Sequence, residues 1–329
     1  MTINRRDFLQ TTGAAALALA GESASAQPAD QPLPIIDTHQ HLWDLARQTL
    51  PWLADAPEVL RRNYRTEEYR EATRDLNVRR AVYMEVDVAE NQKVAEMELV
   101  VGLARQQNPI TVAAVVGGLP ASEGFAAYVK QIVQHRRYVK GVRQVVHNPA
   151  SPAGFCVRPE FIRGVRLLGE NNLTFDICIR PTEIRDGIRL TEACPDTKFI
   201  LDHLGNADPK AWRKNNPANE QPSHRADDWR RDIEAISRRP NVICKISGIV
   251  ARAWRGWTAD DLAPAVNHCL DSFGPDRVVF GGDWPVCLLG ASYRQWVEAL
   301  RLIVARRPIA DQRKLWSENA ARFYRLDES

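Results

Sequence analysis

The sequence predicts an α/β fold, a closed (β/α)8 barrel, and three observations carry that expectation. Eight short apolar runs rich in β-branched residues alternate with longer segments of helical spacing. The runs are near-continuous rather than alternating, as parallel strands covered on both faces require. No Gly-x-Gly-x-x-Gly follows any of them, which removes the usual mark of a doubly wound open sheet. Eight β-then-α units in 329 residues match a barrel whose usual length is roughly 250 before insertions.

The front of the chain stands apart from the barrel. Asn4-Arg5-Arg6-Asp7-Phe8-Leu9 precedes a weakly apolar run from Gly13 to Ala20 and an Ala24-Ser25-Ala26 site. That order predicts a twin-arginine export signal over residues 1–26, with 27–329 as a single domain released into the periplasm. The apolar run is too short to span a bilayer, and no later run is long enough. The formal charge of +3 is spread along the chain and predicts neither nucleic acid nor membrane as a partner. Six cysteines lack any Cys-x-x-Cys spacing, and Cys178 and Cys244 fall inside strand runs. They are expected as core thiols.

The predicted strands are Ile35–His41, Arg80–Asp87, Thr111–Gly117, Val139–Val146, Leu173–Ile179, Lys198–His203, Val242–Ser247 and Val278–Asp283. Between them, Val94, Met97, Val101 and Ala104 repeat at helical spacing, as do Phe125, Tyr128, Val129, Ile132 and Val133. Further helices are predicted over Pro159–Glu170, Thr182–Ala193, Asp227–Arg238, Ala259–Phe273 and Ser292–Ala305, punctuated by Pro240, Pro264 and Gly274. Two insertions remain. Leu42–Arg65 carries Trp43, Trp52 and Tyr64 and is expected to wall the barrel mouth. Asn206–His224 has no apolar period and reads as a lid or a surface excursion.

Barrel chemistry sits at the carboxyl ends of the strands, and here nearly every such end carries an ionisable residue. Asp37, His39 and His41 alternate along the first strand, so both imidazoles share a face. Later ends supply Glu85 and Asp87, Arg143 and His147, Arg180, His203, Lys245 and Ser247, and Asp283. Three imidazoles and a carboxylate (His39, His41, His203, Asp283) suit one Zn²⁺ or a similar ion with an open position for water. Without metal, Asp283 can take a proton from water as it attacks a carbonyl. Arg143 and Arg180 then polarise the carbonyl and hold an anionic group. Glu85 and His147 join them as substrate-binding candidates. Asp37 reads as a brace, Lys245 and Ser247 as either site or barrel core, and His135, His224 and His268 receive no role.

Several motifs appear in order along the chain: Asp37-Thr38-His39-Gln40-His41-Leu42-Trp43-Asp44, Pro51-Trp52-Leu53, Lys140-Gly141-Val142-Arg143, Asp202-His203-Leu204-Gly205, Lys245-Ile246-Ser247-Gly248 and Phe280-Gly281-Gly282-Asp283-Trp284-Pro285. Together they resemble the amidohydrolase-related family of sugar and aromatic-acid lactonases, which includes L-fuconolactonase, L-rhamnonolactonase, 4-sulfomuconolactonase and 2-pyrone-4,6-dicarboxylate lactonase. The resemblance implies a distorted (β/α)8 barrel of the amidohydrolase type that hydrolyses a small lactone or related carboxylate substrate. It implies Asp283 as the base, with His39, His41 and His203 around the carbonyl or a metal. Lys140 opens its strand rather than ending it, and the fifth strand ends in Arg180 with no histidine. One divalent ion or none is therefore expected, not two. The rival within the fold is a metal-dependent, non-oxidative decarboxylase of an aromatic acid. A periplasmic solute-binding protein would need two hinged lobes, and no midpoint linker or doubled pattern supports one.

Overall fold

The computed structural model describes residues 32–148, 150–213 and 220–326; the expected export signal lies outside them. The described residues from Leu33 onward form one compact unit. Its eight strands are all parallel and pair in sequence order: β1 Ile35–Gln40, β2 Val78–Met84, β3 Thr111–Gly117, β4 Val139–Val145, β5 Thr174–Cys178, β6 Phe199–Leu201, β7 Val242–Ile246 and β8 Val278–Phe280. The last strand returns to the first just beyond their ends. There Gln40 pairs with Trp284, Asp283 N–H donates to His39 O at 2.8 Å, and His41 N–H donates to Trp284 O at 2.8 Å. The fold is a (β/α)8 barrel.

The helices follow the strands at Thr66–Ala72, Lys93–Ala104, Phe125–Gln134, Pro159–Glu170, Ile184–Ala193, Ala226–Ser237, Ala259–Phe273 and Tyr293–Val304. Their buried residues keep helical spacing, as Phe161, Val165 and Leu168 do. Pro264 lies inside Ala259–Phe273, whose bounds are the expected ones. A capping box between Thr258 and Asp261 sets the first turn; Pro264, just beyond it, removes one backbone bond and crowds the carbonyl four residues back. No described helix is long and apolar enough to cross a membrane.

The barrel is filled in two layers of opposite character. Below, Ile36, Val82, Met84, Ala113, Val115, Ile200, Ile243 and Val279 form an apolar plug closed by Ala320 and Tyr324 from the C-terminal helical segment. Above, the inward positions are charged. All six cysteines are buried free thiols.

Three strands stop short of their expected ends at His41, His203 and Asp283. At two of these positions the backbone turns into the left-handed region, with φ of 55° at His203 and 54° at Asp283. Such a conformation costs a non-glycine residue roughly 1–3 kcal/mol and recurs at functional sites, where the surroundings enforce it. β2 ends at Met84, and three residues on, at Asp87, the backbone takes a φ of 49°.

Candidate active site

β1 carries the first half of the site. Asp37 is fully buried and accepts four hydrogen bonds: from His39 N–H (2.9 Å) and Gly282 N–H (2.7 Å) on Oδ1, and from Tyr69 (2.8 Å) and Tyr293 (3.0 Å) hydroxyls on Oδ2. It therefore braces β1 against the end of β8. Glycine is required at 282, because a Cβ there would lie 2.3 Å from Tyr293 Cε2 and 2.5 Å from Asp37 Oδ2. With the two strand ends tied together, the imidazoles of β1 meet the carboxylate of Asp283.

Asp283 Oδ1 lies 3.4 Å from His41 Nε2 and 3.6 Å from His39 Nε2. His41 Nδ1 faces the carbonyls of Met84 (3.0 Å) and Glu85 (3.1 Å). That nitrogen must carry the proton, so in the neutral ring Nε2 presents its lone pair towards a carboxylate oxygen. Two acceptors facing each other at this distance need something positive between them: a proton, a water hydrogen or a metal ion. His203 stacks obliquely on His39, centroids 4.4 Å apart, and is oriented by Ser247 Oγ at 2.8 Å from its Nδ1. Gly248 (φ 70°) makes that approach possible, since a Cβ would sit 2.3 Å from His203 Nδ1.

Around this centre runs a ladder of buried charges from five strands. Asp176 (β5), Lys245 (β7), Asp202 (after β6), Arg143 (β4) and Glu85 (after β2) alternate in sign. The links measure 2.8 Å for Lys245–Asp176, 2.9 Å for Lys245–Asp202, 3.4 Å for Arg143–Asp202 and 2.7 Å for Arg143–Glu85. Arg143 Nη2 also donates to Glu85 O (2.9 Å), while Nη1 reaches His39 Nε2 at 3.3 Å. Burial pushes these carboxyls up, and the neighbouring cations decide each outcome. Arg143 holds Glu85 below its usual range. Lys245 helps draw Asp202 down to about 2. Burial outweighs Lys245 at Asp176, which rises to about 7.

Above the ladder opens a cavity of about 420 Å³. His41, Glu85, Arg143, His203 and Asp283 line its floor; Trp43, Trp52, Val145, Val286 and Leu289 form apolar walls; His147, Asn148, Asn206 and Arg252 line it as well. Trp43 and Trp52 are held by indole hydrogen bonds to Arg62 O (2.6 Å) and Val86 O (2.7 Å), so Leu42–Arg65 does wall the mouth. The described ends of the 206–224 loop are stapled. Asp208 N–H donates to His224 Nε2 (2.9 Å), and Ser223 N–H donates to Asp208 Oδ2 (2.9 Å).

Arg180 does not line this cavity. Its guanidinium is taken by Asn148 O (2.6 Å), Ser151 O (3.0 Å) and Glu183 Oε1 (2.9 Å), so it pins the loop after β4 instead of facing a ligand. Arg252, which the strand-end reading missed, lines the cavity and donates to the Asn206 carboxamide at 2.9 Å. It lies in the turn Ile249–Arg252 beyond β7, where no strand end draws attention to it. Asp202 was legible only as the neighbour of His203 in the Asp-His-Leu-Gly motif.

Burial favours the neutral imidazole and lowers His203 to about 4. As pH falls, the unfolded chain takes this proton first, near 6.5. The group's contribution to stability is therefore present above pH 6.5 and lost between 6.5 and about 4. Histidine-resolved NMR of the metal-free protein is expected to show His203 neutral at pH 5.5.

The donor atoms suit a single divalent ion. Two ligands on a tetrahedral ion with bonds of about 2.1 Å stand about 3.4 Å apart, and Asp283 Oδ1 stands 3.4 and 3.6 Å from the two Nε2 atoms. The four candidate ligands do not make one set. His39, His41 and Asp283 form a group, while His203 groups with His39 and Asp202.

Comparison with known proteins agrees with this architecture. L-fucono-1,5-lactonase of Burkholderia multivorans (strain ATCC 17616 / 249) is 29% identical over 301 residues, covering 89% of this chain and 96% of its own. L-rhamnono-gamma-lactonase of Scheffersomyces stipitis (strain ATCC 58785 / CBS 6054 / NBRC 10063 / NRRL Y-11545) is 23% identical, covering 89% of this chain and 98% of its own. A crystal structure of an amidohydrolase from Burkholderia multivorans with bound zinc superposes with a TM-score of 0.75 at 25% identity, covering 89% of this chain and 99% of that one. The amidohydrolase family model matches residues 36–326, and the chain belongs to the amidohydrolase family.

Proposed function

We propose that the protein hydrolyses small lactones, with Asp283 as the general base. One observation carries this reading: the Asp283 carboxylate faces two imidazoles on the floor of a cavity that also exposes Arg143. The lactonase relatives support the same chemistry. Water attacks the lactone carbonyl carbon and gives one proton to Asp283. The Arg143 guanidinium and the His203 edge meet the oxyanion that develops. The ring C–O bond then breaks, and Asp283 returns its proton to the leaving alkoxide, releasing a hydroxy acid. His39, His41 and Asp283 would hold a divalent ion, which when bound would supply further positive charge to polarise the carbonyl and acidify water.

The apolar walls and the Arg252 guanidinium favour a lactone bearing a carboxylate. Replacing Arg252 by alanine is expected to raise KM for a carboxylated lactone about 10–100-fold, the worth of one charged hydrogen bond, and to leave an uncharged lactone unaffected. A pH-stat screen of aldonolactones and muconolactone-type compounds tests the reaction class. Release of carbon dioxide from an aromatic acid, with no acid released from any lactone, would favour the decarboxylase reading instead. The paired Arg5 and Arg6 support export, which cell fractionation of the full-length protein checks.

A further inference from the structure

The hydrolytic reading leaves the most deeply buried cation of the barrel idle. Lys245 is fully buried, and its ammonium sits between Asp176 Oδ2 (2.8 Å) and Asp202 Oδ1 (2.9 Å). Asp202 is also one corner of the second donor group, with His39 and His203, whose ligand atoms all lie within 4.8 Å of one another. His39 Nδ1 is buried without a hydrogen-bond partner and faces Asp202 Oδ1 at 3.7 Å. By donor chemistry alone this is a second place for a metal ion, sharing His39 with the first. Charge argues against it. One oxygen of Asp202 meets Lys245 and the other meets Arg143 at 3.4 Å. A divalent ion on the same carboxylate would stand beside a fixed ammonium where little water screens the repulsion.

We propose that Lys245 is the resident cation of this second donor group and that its ammonium holds the barrel to at most one divalent ion. The lysine has no way out. Its stem is packed where even a Cβ on Gly281 would come within 3.2 Å of Lys245 Cγ, and both of its carboxylate partners are fully buried. Taking away the ammonium while keeping the bulk of the stem leaves Asp176 and Asp202 facing each other without it. A divalent ion is the natural replacement. The proposal rests on the one-ion reading above only for the absolute count, because its test reads a difference.

The test compares the full-length protein with Lys245→Met and Lys245→Arg after equilibration with excess zinc, desalting and elemental analysis. The expected result is one more ion per chain in Lys245→Met than in wild type, and no gain in Lys245→Arg, which keeps the charge. If wild type retains no ion and Lys245→Met retains one, the one-ion reading fails and the role of Lys245 stands. Two ions in wild type, or an unchanged count in folded Lys245→Met, overturn the proposal. Should Lys245→Met fold only when zinc is present, retention of the added ion supports it. A variant that recovers neither fold nor ion in excess zinc overturns it.

Discussion

Asp283→Asn is expected to lower kcat/KM for lactone opening by about 10²–10⁴-fold, the usual cost of removing a general base. The substitution keeps the shape of the side chain and removes its capacity to accept a proton. It leaves the backbone links Asp283 N–H to His39 O (2.8 Å) and Cys287 N–H to Asp283 O (2.7 Å) in place. The new carboxamide can donate towards the His41 Nε2 lone pair, now 3.4 Å from a carboxylate oxygen. Thermal stability should therefore hold within about 1 kcal/mol of wild type, the net worth of one hydrogen bond. Initial rates together with an unfolding curve check both halves. A loss smaller than tenfold would remove Asp283 from the role of base.

Arg143→Met is expected to destabilise the protein by about 3–5 kcal/mol and to lower kcat about 10²–10³-fold. The stability loss comes from Glu85 and Asp202, both buried and left without a guanidinium that now lies 2.7 and 3.4 Å away; breaking one side of a buried ion pair costs this much. The rate loss is that of one oxyanion donor. A double variant, Arg143→Met with Glu85→Gln, separates the two effects. It neutralises one stranded carboxylate and should recover part of the stability with no recovery of rate. Arg143→Lys should rescue neither fully, because a point charge cannot serve Glu85 Oε1, Glu85 O and Asp202 together. Denaturant unfolding and steady-state kinetics on the three variants decide this.

The barrel was legible because its strands are buried on both sides, so composition alone marks them. The exact strand ends were not. Beyond β6 and β8 the backbone turns to positive φ at His203 and Asp283, and nothing in hydrophobic patterning foretells that for a non-glycine residue. The same limit explains the two arginines. A strand-end position fixes where a Cα lies but not where a long side chain turns. Arg180 is drawn aside by Glu183 three residues on and by two carbonyls, whereas Arg252 reaches the cavity from a turn with no periodicity to flag it. Pairing of His39 and His41 was readable from their spacing on β1. Their meeting with Asp283 depends on Asp37 and Gly282, which act across the closure of the barrel, a relation between residues 245 positions apart.

The most direct test of the proposed reaction is hydrolysis of the fastest lactone substrate in H₂¹⁸O, followed by mass spectrometry of the product. Attack of water on the carbonyl predicts a single ¹⁸O, located in the new carboxylate. Label in the hydroxyl group of the product, or loss of carbon dioxide with the ring unopened, would contradict it.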